Sequence, residues 1–280
     1  MAERQSPIRR ILVALDASPA SRFTIQTAVD LAARFEAELI GLFVEDTNLL
    51  RVARLPFVRE IGAFSFSARK LDLTDLERQL RLQAERMRRY LALAAQLRGI
   101  SWEFRVKRGS VAAEVMAAGA EADLMIMGRA GRSLTAHRRL GSTVRSMVLQ
   151  RSGLTFILTA ALRLAAPAIL LYDGSQAGHK ALEIAGSLVE AQDRRLTVVL
   201  VAENRSESHD LKADSSRLLA GFSIAADFRT FVEPSHRGLA WLVRMTGDGP
   251  VILPCGKERL QGEPLCTLVD EIPNPVLLVR

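Results

Sequence analysis

Sliding the chain by 157 positions lays Asp16-Ala-Ser-Pro-Ala over Asp173-Gly-Ser-Gln-Ala, and the match runs on without a gap through Ala28 over Ala185, Leu31 over Leu188, Leu39 over Leu196 and Val44 over Val201. A self-similarity of that length is a duplicated domain, not a solenoid period. Each copy opens on a continuous apolar run, Ile11 to Leu15 in the first and Ile169 to Tyr172 in the second, that stops at an aspartate followed by turn residues. Such runs are buried on both faces of a parallel sheet. Helical stripes follow (Ile25, Ala28, Val29, Ala32), then a second buried run, Leu39 to Val44. Repeated strand and helix in this alternation mean an α/β fold with a parallel sheet.

The rest of the first copy continues the pattern. Leu73, Leu76, Leu80, Met87, Leu91 and Ala94 predict a long helix ending near Gly99, with Thr74 and Glu77 spaced as a capping box. Trp102, Phe104 and Val106 alternate with charged residues, as in a half-exposed edge strand. Val111 to Glu121 reads as helix, Leu124 to Met127 as strand, Val144 to Val148 as helix and Thr155 to Leu158 as the closing strand. Strands at Phe228 to Val232, Val251 to Leu253 and Val276 to Val279 complete the second copy. The domain boundary falls in the linker from Ala160 to Ala166, which gives domains 1–160 and 161–280. Asn48 to Lys70 fits neither strand nor clear helix, and Phe57, Phe64 and Phe66 argue that it packs on something, as a surface flap over the protein's own core or as a lid or partner surface.

Charge divides along the same line. Residues 1–160 hold 25 Lys and Arg against 16 Asp and Glu, a net +9, whereas residues 161–280 hold 13 against 15, a net −2. The basic half suits a phosphate-bearing partner such as a nucleotide, a nucleic acid or an anionic membrane. Aromatic residues are only 5% of the chain and no nucleic-acid-binding motif occurs, which argues against nucleic acid. The apolar run after the N-terminus is too short for a leader or a membrane span, so a cytoplasmic protein is expected, with Cys255 and Cys266 as idle thiols.

The chemistry concentrates after the strand that ends at Met127. There the chain reads Gly128-Arg-Ala-Gly131, nine further residues, then Gly141-Ser142-Thr143 and a helix. Glycine lets backbone N–H groups close on phosphate oxygens and accepts the positive φ angles of such a loop. Ser142 and Thr143 fall at a helix N-terminus, where unpaired N–H groups and the dipole favour an anion. Arg129, Arg132, Arg138 and Arg139 add charge to the loop. The lone Gly256-Lys257 pair lacks the remainder of a Walker motif.

On these residues, together with Ile11-Leu-Val-Ala-Leu-Asp-Ala-Ser18, Gly41-Leu-Phe-Val-Glu-Asp46 and Arg108-Gly-Ser110, the sequence resembles the universal stress protein family in its tandem form. The resemblance is close to about residue 160 and loose beyond. It implies two tandem open five-stranded parallel sheets, strand order 3-2-1-4-5, with helices on both faces. It also implies ATP as ligand: Asp16 and the backbone of Val44 would face the adenosine, Met127 the base, Gly128 the ribose, and Gly131, Gly141, Ser142 and Thr143 the phosphates. Ala17 departs from the glycine usual after that aspartate. Asp16 has a second reading as the cap of the first helix, and a third role as a contact for Mg²⁺.

No catalytic constellation accompanies the loop. His137, His179, His209 and His236 are scattered, and neither a Ser-His-Asp order nor paired carboxylates stand out. The expected function is therefore an ATP-binding regulatory or stress-response protein acting on an unidentified protein partner. A slow ATPase or autophosphorylating enzyme with Ser142 as acceptor, and a nucleotide-independent interaction protein, are the alternatives. The second copy keeps Asp173-Gly-Ser175 but places Pro254 and Pro264, Glu258 and Glu263 where a phosphate loop would lie, which predicts a degenerate domain. Its last strand is expected to pair with Phe156 to Leu158 in a pseudo-dimer within one chain; whole-molecule dimers are compatible with the sequence.

Overall fold

The computed structural model describes residues 8–55, 57–61, 68–70, 72–129, 140–150, 152–159, 166–190, 195–222, 224–232, 235–256 and 260–280. The chain forms two compact units, Met1–Ala122 and Asp123–Arg280. The architecture is α/β with a mostly parallel sheet.

The first unit is built on β1 (Arg10–Leu15), β2 (Glu38–Asp46) and β5 (Trp102–Gly109), with β2 parallel to both of the others. Ile11, Leu12 and Val13 are wholly buried, as a strand covered on both faces requires. Helix α1 (Ala20–Phe35) turns Ile25, Ala28, Val29 and Ala32 inward. It stops at Glu36, whose left-handed backbone ends the helix, and the Ala37 N–H returns to the Ala32 carbonyl at 2.9 Å. The 26-residue α3 (Leu73–Arg98) ends on Gly99 at φ 65°, as its sequence predicts. Gly41 lets α3 lie close on β2: a Cβ there would stand 2.5 Å from Leu91 Cδ2. Strand β5 is the terminal strand and keeps the half-exposed alternation. Helix α4 (Val111–Gly119) completes the unit.

Two local expectations are corrected. The α3 cap is Asp72, whose carboxylate accepts from Thr74 N at 2.8 Å and Asp75 N at 3.0 Å, so no Thr74–Glu77 box forms. Glu77 instead receives Arg108 and Arg81, and the Arg108 hydrogen bond holds its carboxyl below the usual range. The stretch from Asn48 to Lys70 is also not structureless. It contains α2 (Thr47–Ala53), capped by Asp46 through Asn48 N, and two short antiparallel strands, β3 (Arg59–Ile61) and β4 (Ala68–Lys70). Leu50 and Ala53 of α2 bury against Leu76 and Leu80 of α3, which gives this insertion a small core of its own.

In the second unit β6 (Leu124–Gly128) and β7 (Leu154–Leu158) pair in parallel, with α5 (Ser142–Gln150) between them in sequence. The second copy follows: β8 (Ala168–Tyr172), α6 (Gln176–Glu190), β9 (Arg195–Ala202), α7 (Arg205–Leu219), β10 (Ala225–Val232), α8 (His236–Thr246), β11 (Val251–Pro254), α9 (Gly262–Glu271) and β12 (Val276–Val279). Its strands lie in the order β10-β9-β8-β11-β12, the 3-2-1-4-5 winding that the resemblance implies. β2 and β9 begin 157 residues apart, so the duplicated sequence is a duplicated structure.

The closing strands of the two copies share a sheet. β12 pairs antiparallel with β7, in the register Val276 to Ile157, Leu277 to Phe156 and Leu278 to Thr155. This is the pseudo-dimer pairing expected from sequence. It removes two apolar edges that would otherwise be open to association. Cys255 and Cys266 are free and buried, and no described helix is long and apolar enough to cross a membrane.

Candidate functional site

In the first unit β1 runs into a tight turn at Asp16. Its Oδ1 accepts from Ser18 N at 3.0 Å and from Ser21 Oγ at 2.8 Å. The residue at the α1 N-cap is Pro19, and no side chain caps that helix, so the reading of Asp16 as a helix cap is not what the fold uses. Ala17 carries the turn at φ 59°, a left-handed conformation that a Cβ disfavours. Its counterpart Gly174 takes φ 71° at the same place in the second copy. The Ala17→Gly variant is therefore expected to stabilise the protein by about 0.5–1 kcal/mol, a gain that urea denaturation of the two proteins will show. A loss of stability would mean that Ala17 is not strained. Val44 lies half-buried near the end of β2, opposite Lys107 of β5.

The residues that the sequence assigns to a phosphate loop fall in the second unit. Met127 is buried in β6 and Gly128 is half-buried at its end, paired with Leu158 of β7. Gly131, Arg132, His137, Arg138 and Arg139 lie outside the described residues. The base of the loop is clamped by backbone: Arg129 N donates to Leu158 O at 2.8 Å, and Gly141 N donates to Arg129 O at 3.2 Å. Gly141 O then accepts from Arg145 N at 2.9 Å and starts α5. Val144, Met147 and Val148 anchor that helix in the core. Ser142 is exposed and Thr143 half-buried at its first turn. The N–H groups of such a turn have no acceptor within the helix and can receive an anion.

Arg129 does something the sequence did not indicate. Its guanidinium donates to the carbonyl oxygens of Val269, Asp270 and Ile272, with 2.7 and 2.6 Å for the first two. These are the closing carbonyls of α9, so the side chain caps that helix at its negative end. Burial lowers the Arg129 pKa while the Asp270 charge opposes the shift; an arginine stays protonated regardless. Its expected contribution of charge to a phosphate is therefore corrected. Asp270 is a further residue the sequence reading missed: its carboxylate accepts from Leu140 N at 2.6 Å and fixes the loop where it returns to α5.

The universal stress protein family model matches residues 7–152. The chain belongs to the universal stress protein family. Three solved structures share the family's fold along nearly the whole chain. A universal stress protein from Archaeoglobus fulgidus DSM 4304 has a TM-score of 0.72 at 18% identity, over 96% of this chain and 95% of that one. A functionally unknown protein from Pseudomonas aeruginosa PAO1 has a TM-score of 0.58 at 14% identity, over 99% and 94%. The cytoplasmic domain of a prokaryotic cation chloride cotransporter has a TM-score of 0.51 at 11% identity, over 97% and 95%. Among curated proteins none matches. At these identities the likeness is one of fold, and a family member's ligand has to be argued from its own residues.

Proposed function

We propose that this universal stress protein is an ATP-binding regulatory protein of the cytoplasm, with the nucleotide assigned to the first sequence copy, residues 1–160. The observation that carries the reading is the glycine-serine loop: it leaves a buried strand, is clamped at its base by Arg129 and Leu158, and delivers Gly141, Ser142 and Thr143 to the start of α5. The donor set fits a phosphate chain. In this proposal Gly128 approaches the ribose, and Gly131, Gly141, Ser142 and Thr143 take the phosphates. The Gly141 N–H is already bonded to Arg129, so glycine matters there for its lack of a side chain rather than as a donor. Asp16, Val44 and Met127 are assigned to the adenosine and, for Asp16, to a Mg²⁺ accompanying the nucleotide.

Regulation is favoured over catalysis on chemical grounds. Phosphoryl transfer needs a group that positions the attacking nucleophile as well as a cradle, and the described loop residues Arg129, Leu140, Gly141, Ser142 and Thr143 offer two hydroxyls but no carboxylate or amide side chain for that task. Binding should then bias an interaction with a protein partner, while the second copy, residues 161–280, serves as a degenerate domain.

Calorimetric titration of the full chain is expected to show one ATP per chain. Gly141→Val should weaken it at least about a hundredfold, because a branched side chain holds the phosphate oxygens off the N–H groups of α5. Unchanged affinity in that variant would sink the assignment. Phosphate release near the roughly 10 per second of an ordinary enzyme would favour the ATPase reading instead.

A further inference from the structure

Positive charge is concentrated on one stretch of the first unit. Residues 47–98, which carry α2, β3, β4 and α3, hold eleven Lys and Arg against five Asp and Glu, a net +6 out of the chain's +7. Helix α3 turns Leu76, Leu80, Ala84, Met87, Leu91 and Ala95 into the core. On its opposite face Arg78, Leu82, Arg86, Arg89, Leu93 and Leu97 follow one another three or four residues apart, a single stripe about 28 Å long. All six are exposed, Leu97 to 87%.

A surface helix ordinarily gives its outward face to polar residues. Here leucines share it with arginines, and none of Arg78, Arg86 and Arg89 forms an ion pair among the described residues: Glu77 is taken by Arg81 and Arg108, and Glu85 by Arg88. Asp75, in the first turn, is the remaining acid of the helix. The neighbouring insertion repeats the mixture. Leu50 and Ala53 hold α2 against α3, while Val52, Leu55 and Phe57 stand exposed, the last to 77%, among the exposed Arg51, Arg54 and Arg59. No acid occurs from Thr47 to Arg59. The fold itself does not require such a surface. In the second copy α7 lies between β9 and β10 as α3 lies between β2 and β5, and it carries three acids against three Lys and Arg and exposes no large apolar side chain.

We propose that this surface of the first unit docks on an anionic lipid bilayer. Exposed leucine and unpaired arginine on one stripe call for a partner that offers hydrocarbon and negative charge side by side. A bilayer interface sets phosphates directly above acyl chains: the leucines and Phe57 sink below the headgroups, and the arginines hold their guanidinium groups at phosphate level while their stems cover apolar surface. It also has no register, so it serves α3 and the α2 segment alike although their patterns differ. A nucleic-acid backbone offers phosphate but leaves the leucines in water. A second copy sets like charge against like charge, and an acidic protein needs carboxylates matched to both patterns. Docking of this kind is peripheral and reversible, and it is independent of the nucleotide assigned to residues 1–160.

The test is co-sedimentation of the full chain with vesicles of phosphatidylcholine and with vesicles of phosphatidylcholine and phosphatidylglycerol in equal parts, at low salt and in about 1 M salt. The mixed vesicles are expected to bind at least about tenfold more tightly than phosphatidylcholine alone, and salt of about 1 M, which shortens the Debye length to about 3 Å, should remove most of that difference. Arg86→Gln with Arg89→Gln should weaken binding to the mixed vesicles at least about tenfold, and Leu93→Ser with Leu97→Ser at least about fivefold. All four positions are exposed, so both variants should unfold at the wild-type temperature. Arg205→Gln with Lys212→Gln, on α7, should bind as wild type does. The proposal is overturned by no binding to the mixed vesicles at low salt, equal binding to the two kinds of vesicle, unchanged binding in either α3 variant, or a loss of equal size in the α7 variant. Displacement of the protein from the mixed vesicles by duplex DNA at equal phosphate concentration would overturn it in favour of a nucleic-acid surface.

Discussion

Replacing Arg129 by alanine is expected to lower the stability of the protein by about 3 kcal/mol. The side chain is the donor to three carbonyls at the end of α9, and hydrogen bonds from a charged group are worth about 1.5–3 kcal/mol each before the freed carbonyls regain water. Alanine also removes the positive charge from the negative end of the helix dipole, roughly a further 0.3–1 kcal/mol. Arg129→Lys should recover less than half of the loss, because an ammonium on a flexible stem can oppose the dipole but cannot span three acceptors as a guanidinium fork does. Urea denaturation of the three proteins measures both effects. If the alanine variant is as stable as wild type but binds ATP far more weakly, Arg129 is a phosphate ligand and the capping role is secondary.

That residue also marks where the sequence stops being readable. Arg129 stands beside Gly128 and in a basic loop, and its neighbours assign it to an anion. Its real partners begin at Val269, 140 residues further on, and nothing local in either segment encodes that meeting. What is local was legible. A short continuous apolar run closed by turn residues, such as Ile11 to Leu15, suits a strand buried on both faces of a parallel sheet, and its alternation with the helical stripes gave the α/β class. The duplication carried the second copy, down to the shared left-handed residue at Ala17 and Gly174. The pairing of β7 with β12 was legible for a related reason: each is a short, largely apolar strand that closes its copy, and two such edges stabilise one another.

Short elements and caps were less so. Helix α2 has seven residues, two turns, which is too little for a periodic stripe to stand out, and each strand of the β3–β4 hairpin has three. The sign that was available was Asp46-Thr-Asn48, an aspartate placed to cap the helix through Asn48 N. At α3 a capping-box spacing and a plain aspartate cap stood two residues apart; the aspartate is the one that caps, while Glu77 pairs with Arg108 and Arg81.

The Gly249→Ala variant is expected to destabilise the chain by about 3 kcal/mol or more, beyond the common range for an overpacked core site. Gly249 precedes β11 where three segments of the second copy meet. Pro250 O accepts from Ile169 N at 2.9 Å just after it, and the buried Asn274 side chain donates to Gly249 O at 2.7 Å and Gly247 O at 2.9 Å. A Cβ on Gly249 would stand 1.9 Å from the Pro167 carbonyl oxygen and 2.8 Å from its carbon. Both are backbone atoms, so no rotamer change relieves the clash. The chain entering β8 must move by more than an ångström, which pulls on the Ile169 and Asn274 bonds that align β8, β11 and β12. A position on an exposed loop would tolerate alanine within about 0.5 kcal/mol. Thermal and urea unfolding of Gly249→Ala separates the two cases, and a loss below about 1 kcal/mol would show that the β8 entry can yield without disturbing the sheet.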